Sequence, residues 1–291
     1  MLQEEFACHV PTRDFSRRSF VHTAVGSGFA AAVLPVSAQT LIKTDTSGLL
    51  AGEVSIPVGD FKMPAYRAAP LHRKNAPVVL VVSEIFGVHE HIADVTRRFA
   101  KLGYFAVAPE LFVRQGDARS YADISRLLSE VVAKTSDAQV IGDLDAVLAW
   151  AGAQGAAAHK VGITGFCWGG RIVWLYAAHN PAVKAGVAWY GRLTGAVSAV
   201  NPRRAVDIAG DLKAPVLGLY GGKDSGIPLD TVAQMQAALA VGSPAARRSK
   251  FVVFPDAGHA FNADYRPSYL KAAADEGWAL TLDWFKSNGV A

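Results

Sequence analysis

Cysteine is scarce in this chain: 291 residues hold two, Cys8 and Cys167. A disulfide-stapled scaffold is therefore excluded, and the length does not call for one. No cluster of Cys and His has metal-ligand spacing. His89-Glu90-His91 is a poor chelate, because residues two apart on a helix point to different faces. No metal or cofactor is expected. Charge of one sign is also lacking: the net charge is +4, and the basic residues are scattered rather than striped among aromatics. That excludes a nucleic-acid partner. There is no internal repeat and no low-complexity tract. The apolar run over residues 21–33 is too short and too weak for a stable membrane span. What remains is a globular chain, 51% hydrophobic, long enough for one sizeable α/β domain.

The N-terminus reads as an address. Ser16-Arg17-Arg18-Ser19-Phe20-Val21 is a twin-arginine pattern. It leads into the Ala- and Gly-rich run over 21–33, and Val36-Ser37-Ala38 then offers the small residues of a cleavage site. A twin-arginine-type signal peptide is expected over 1–38, a linker over 39–52, and a single domain over 53–291. The precursor's partner would be the twin-arginine export machinery, and the mature chain would be periplasmic or exported. Cleavage removes Cys8 and leaves Cys167 as a lone thiol in an oxidising compartment. Such a thiol is easiest to understand if it does chemistry.

Beyond the leader, strands and helices alternate. Residues 53–56 and 61–66 read as short early strands, and Pro77-Val78-Val79-Leu80-Val81-Val82 as a strand buried on both faces. Further strands are expected at 105–108, 161–164, 183–189, 215–220 and 251–254. Helices are expected at 92–102, 138–151, 171–179, 229–239 and 270–285. This order predicts a mostly parallel central sheet with helices on both faces. Ligands in such folds sit at the C-terminal ends of strands, so a candidate residue should follow one.

Cys167 does. Gly165-Phe166-Cys167-Trp168-Gly169-Gly170 joins a strand to a helix in a G-x-C-x-G pattern, a nucleophile elbow with cysteine in place of serine. The turn doubles back so tightly that side chains at Gly165 and Gly169 would clash. The following helix start favours a thiolate and an oxyanion. Asp224, in Gly221-Gly222-Lys223-Asp224, and His259, in Gly258-His259-Ala260-Phe261, also follow strands. A thiol needs a base to take its proton, and the imidazole needs an acid to fix its tautomer. Glu84 follows the 77–82 strand, where a carboxylate must be paired. It either bridges to an arginine or bonds to the thiol. The backbone N–H groups of Ile85 and Trp168 are expected to form an oxyanion hole.

These segments together resemble the dienelactone hydrolase family of α/β hydrolases, also called carboxymethylenebutenolidases, over residues 53–285. The resemblance implies an α/β-hydrolase fold and a triad of Cys167, Asp224 and His259. It also implies that Glu84 holds the resting thiol and releases it when substrate binds. Founding members bind a substrate carboxylate with two arginines. Arg114 fits the first. For the second this chain has Asn262-Ala263, with Arg266 slightly later; Arg266 either reaches the pocket by another path or sits at the surface. Phe86, beside Glu84, is a further substrate-binding candidate. The expected activity is hydrolysis of small lactones or esters through a thioester on Cys167. The alternatives are an esterase or thioesterase acting on another acyl group, and a non-catalytic binding or redox-sensing protein on the same fold.

Overall fold

The computed structural model describes residues 41–291. The leader expected over 1–38 lies outside the described residues. Strands β1 (Leu49–Val58) and β2 (Phe61–Pro70) pair antiparallel around Gly59, whose φ of +56° suits a residue without a side chain. Strand β3 (Pro77–Val82) is buried along its whole length, as its unbroken Val and Leu run requires. It pairs parallel with β4 (Phe105–Pro109) on one side and β5 (Ala157–Phe166) on the other. Strands β6 (Val183–Trp189), β7 (Val216–Gly221) and β8 (Lys250–Phe254) extend the parallel part. The eight-stranded order is β1-β2-β4-β3-β5-β6-β7-β8.

Helices α1 (Glu90–Lys101), α2 (Ile124–Glu130), α3 (Asp137–Ala153), α4 (Trp168–His179), α5 (Leu229–Ala240), α6 (Pro244–Arg248) and α7 (Lys271–Ser287) complete the chain. Two glycines of β5 show how the sheet is covered. A Cβ at Gly162 would lie 3.0 Å from Phe285 of α7, and one at Gly165 would lie 3.1 Å from Val173 of α4. Residues three apart on a strand face opposite ways, so α7 and α4 cover opposite faces. Helix α1 joins α7 through Phe99, which packs against Trp278 at 4.6 Å. The mostly parallel sheet with helices on both faces is as expected. Among the described residues, no helix is long and apolar enough to cross a membrane.

Two features differ from expectation. Helices α2 and α6, of 7 and 5 residues, are too short to show a helical period in sequence. Each instead has a side-chain cap, Asp123 and Ser243 respectively. The stretch expected as a linker is tied down. Strand β1 starts at Leu49, and upstream Ile42 N–H donates to Asp264 Oδ2 (3.0 Å) while Arg97 Nε donates to the Thr44 carbonyl (2.8 Å). A buried carboxylate such as Asp264, 1% exposed, recruits whatever donors the chain can supply.

Candidate active site

The turn between β5 and α4 puts Cys167 at φ +53° and ψ −113°, a conformation that L side chains rarely adopt. The glycines around it leave no alternative path. A Cβ at Gly165 would lie 2.3 Å from the Gly169 carbonyl oxygen, and one at Gly169 would lie 2.4 Å from that of Val82. Strand β6 pins the turn, since Cys167 N–H donates to the Trp189 carbonyl at 3.0 Å. The thiol is half-buried beside Ile85, Phe86 and Trp168. Neither the Ile85 nor the Trp168 N–H donates to another group among the described residues.

The ends of β7 and β8 bring Asp224 and His259 together. Lys223 N–H donates to the Ala257 carbonyl at 2.9 Å, so the two loops run against each other. Across them His259 Nδ1 meets Asp224 Oδ2 at 2.8 Å. Asp224 is 5% exposed, and its other oxygen accepts the Gly226 N–H at 3.0 Å. Burial of His259 opposes its protonation. The charge of Cys167, together with hydrogen bonds to Asp224 and Cys167, outweighs this and raises the imidazole pKa to about 10. The edge of Tyr190 packs on the His259 ring at 5.2 Å, and Tyr190 is itself held at φ +38°.

Glu84 lies at the end of β3, 1% exposed. Its Oε2 accepts the Tyr265 hydroxyl at 2.5 Å, and His89 Nε2 is 3.7 Å away. Burial alone would raise its pKa. The nearby Arg266 charge, with His89 and Tyr265, reverses that and holds Glu84 well below the usual carboxylate range. The expectation that Glu84 holds the resting thiol is not carried by a hydrogen bond in this structure. Among the described residues no hydrogen bond joins them; Glu84 Oε2 is taken by the Tyr265 hydroxyl, and the thiol's influence falls on His259, whose pKa it helps to raise. An ionised carboxylate is better satisfied by a phenol and a nearby guanidinium than by a weak S–H donor.

The two arginines part company. Arg114 makes a bidentate pair with Asp143 at 2.6 and 2.8 Å and lies over Phe61 at 4.3 Å. The fork expected to meet a substrate carboxylate is thus engaged by Asp143. Asp143 is 1% exposed on the inner face of α3, and a charge buried there must be neutralised. Arg266 goes to the site. It is 7% exposed, stacks over Phe86 at 4.9 Å and over Tyr265 at 5.4 Å, and donates from Nε to the Tyr265 hydroxyl at 3.2 Å. Phe86 thus acts as a floor for the guanidinium.

Sequence reasoning missed Tyr265. The signal available was Tyr265-Arg266 in the loop after the histidine. His89 and His91 also need a correction of reason. Their rings lie 6.1 Å apart and nearly parallel, because His89 is the extended residue preceding α1 rather than part of it. Each faces its own carboxylate, His89 facing Glu84 and His91 facing Asp264 at 2.8 Å. Among the described residues, no group of His, Cys, Asp and Glu is arranged to hold a metal ion.

A strained strand-turn-helix elbow at the C-terminal edge of a mostly parallel sheet, with a histidine-bearing loop beside it, defines the α/β-hydrolase class. Within that class, the family model for the dienelactone hydrolase family matches residues 63–289, and the chain belongs to that family. It is 60% identical over 277 residues to a Methylorubrum extorquens protein provisionally described as a carboxymethylenebutenolidase, covering 95% of this chain and 94% of that one. An Escherichia coli K12 protein of the same description is 54% identical over 268 residues, covering 92% and 97%. A Klebsiella pneumoniae crystal structure provisionally described as a dienelactone hydrolase is 56% identical. It superposes with a TM-score of 0.79 and covers 82% of this chain and 98% of that one. The chain is a carboxymethylenebutenolidase-like hydrolase.

Proposed function

We propose that the chain hydrolyses small lactones or esters through a thioester on Cys167. The observation that carries this reading is one imidazole, His259, bonded at 2.8 Å to buried Asp224, with a thiol on a strained elbow close enough to help raise its pKa. The thiolate sulfur attacks the substrate carbonyl carbon. The resulting oxyanion meets the Ile85 N–H, just after β3, and the Trp168 N–H at the start of α4. Collapse breaks the C–O bond, and the enol or alkoxide leaves with the His259 proton. His259, now neutral, takes a proton from water, which attacks the thioester and frees the thiolate. An enol lactone suits this chemistry, because its leaving group needs little protonation.

Arg266 supports a substrate that carries a carboxylate. It is 7% exposed and rests on Phe86, and its two terminal amino groups donate to no acceptor among the described residues. A second reading, hydrolysis of another ester or a thioester, is favoured by Arg114. With that fork occupied by Asp143, a carboxylate would meet one arginine instead of two. Hydrolysis of a dienelactone, an aryl acetate and an acyl thioester, each beside Cys167→Ala, separates the two. Cys167-dependent turnover dominated by the dienelactone supports the first. Turnover of the other two alone supports the second, and undiminished turnover in Cys167→Ala refutes both.

The twin-arginine reading of residues 1–38 makes the precursor a substrate of that export machinery and the mature chain periplasmic. Replacing Arg17 and Arg18 by Lys should leave the protein in the cytoplasmic fraction. Unchanged fractionation would count against this route.

A further inference from the structure

The triad leaves one buried assembly unused: Glu84, Tyr265 and Arg266, with His89 alongside. An arginine and a carboxylate in one buried site ordinarily close into a fork-to-fork pair with two parallel hydrogen bonds. Arg114 and Asp143 do so in this same protein, at 2.6 and 2.8 Å. Glu84 and Arg266 do not: the Tyr265 hydroxyl stands between them, accepting from Arg266 Nε at 3.2 Å and donating to Glu84 Oε2 at 2.5 Å. A hydroxyl has a single proton to give. Accepting from a cation on one side and facing a carboxylate on the other fixes where that proton points.

The ring cannot swing aside. His89 packs against it edge-on at 4.8 Å, and Arg266 lies over it at 5.4 Å. The interposed hydroxyl leaves two groups without a protein partner among the described residues, of which only Glu84 Oε1 is fully buried. Among the described residues, Glu84 Oε1 is buried with no hydrogen-bond partner, and the terminal amino groups of Arg266 donate to no acceptor. Unsatisfied buried polar atoms are costly, and a site tolerates them where a ligand will meet them.

We propose that Tyr265 is a positioning residue, a spacer that stops Glu84 and Arg266 from closing into a direct ion pair and so keeps the Arg266 amino groups open to a substrate carboxylate. This rests on the proposed reading of Arg266 as the carboxylate-binding residue. Removal of the hydroxyl lets the two charges meet, and the anion site closes on itself.

The test uses maleate, a small unsaturated dicarboxylate, as a probe of the anion site in the inactive Cys167→Ala protein, followed by isothermal titration calorimetry. Tyr265→Phe in that background should weaken maleate binding by about tenfold or more. Adding Glu84→Gln should restore most of it, because a neutral amide pairs poorly with Arg266. A merely structural role for Tyr265 would not be rescued by changing Glu84. In the active enzyme, Tyr265→Phe should raise KM for a carboxylate-bearing ester several-fold more than KM for its neutral methyl-capped analogue. If Tyr265→Phe binds maleate as tightly as the parent, the spacer role is wrong and the Arg266 reading stands. If the parent does not bind maleate, and Arg266→Gln changes nothing, the Arg266 reading fails and the spacer fails with it. If Glu84→Gln gives no rescue, Tyr265 supports the loop and does not separate the charges.

Discussion

Replacing Asp224 by Asn removes one charge from the imidazole while keeping the shape of its partner. His259 is held at about 10 against an ordinary 6.5. That is three to four decades in favour of the imidazolium, on the order of 5 kcal/mol. Cys167 and Asp224 share the effect, against the cost of burial. A histidine raised in this way contributes stability that is fully present below about pH 6.5 and is lost as pH rises through about 10. The replacing amide would carry no charge and would turn either an oxygen or an N–H toward Nδ1, so the upper edge of that window should fall toward neutrality. We expect the alkaline limb of kcat/KM to move down by at least about one pH unit. By analogy with other triads, kcat should drop by roughly 10²- to 10⁴-fold. Stability at pH 8 should fall by about 1–3 kcal/mol, the cost of a weakened buried charged hydrogen bond. Steady-state kinetics from about pH 5 to 11, with iodoacetamide alkylation of Cys167 over the same range, reads both. An alkaline limb that stays in place, with kcat within a fewfold of the parent, would refute the assignment of Asp224 as the charge behind His259.

Arg114→Met strands Asp143, 1% exposed, without its fork. Thermal and urea unfolding should show a loss of about 3–5 kcal/mol, while KM of the folded fraction stays within a fewfold; a large KM change with intact stability would return Arg114 to the site. Gly169→Ala sets a methyl 2.4 Å from the Val82 oxygen and 2.5 Å from that of Ser83, both backbone atoms. It should cost about 1–3 kcal/mol and most of the activity, measured by denaturation and ester turnover. Arg266→Met removes the charge that keeps Glu84 ionised. A depressed carboxylate stabilises the fold above its ordinary pKa near 4.5 and loses that contribution as pH falls through its folded value. The acid-unfolding midpoint should therefore move to higher pH in this variant.

Order and type of the long elements were legible because each has its own period or composition. The unbroken Val-Leu run of β3 and the strand-turn-helix around Cys167 depend on neighbours only a few residues away. The residues at strand ends were equally legible, since a parallel sheet collects such ends at one edge whatever the loops do. Pairings between distant segments were not. Arg114 resembled a substrate ligand until Asp143, 29 positions away, took its fork. The placement of Asp143 beside Val140, Leu144 and Val147 on the inner face of α3 was the available warning, because a carboxylate on a buried stripe needs a cation. Tyr265 and Glu84 stand 181 positions apart, and nothing local in either segment announces a hydrogen bond between them. Ile42 and Asp264, 222 apart, are the same case, so a stretch expected as linker is instead fastened to the loop that carries Arg266.

The central claim is that Cys167 is the nucleophile of a hydrolase and carries the acyl group through turnover. Rapid acid quench of the mature protein mixed with an aryl acetate or a dienelactone, followed by peptide mass mapping, tests it directly. The account predicts an acyl adduct on the peptide containing Cys167, forming and decaying at rates that match kcat, with both adduct and turnover gone in Cys167→Ala. Full turnover in Cys167→Ala, or an adduct on another residue formed at the catalytic rate, would contradict it.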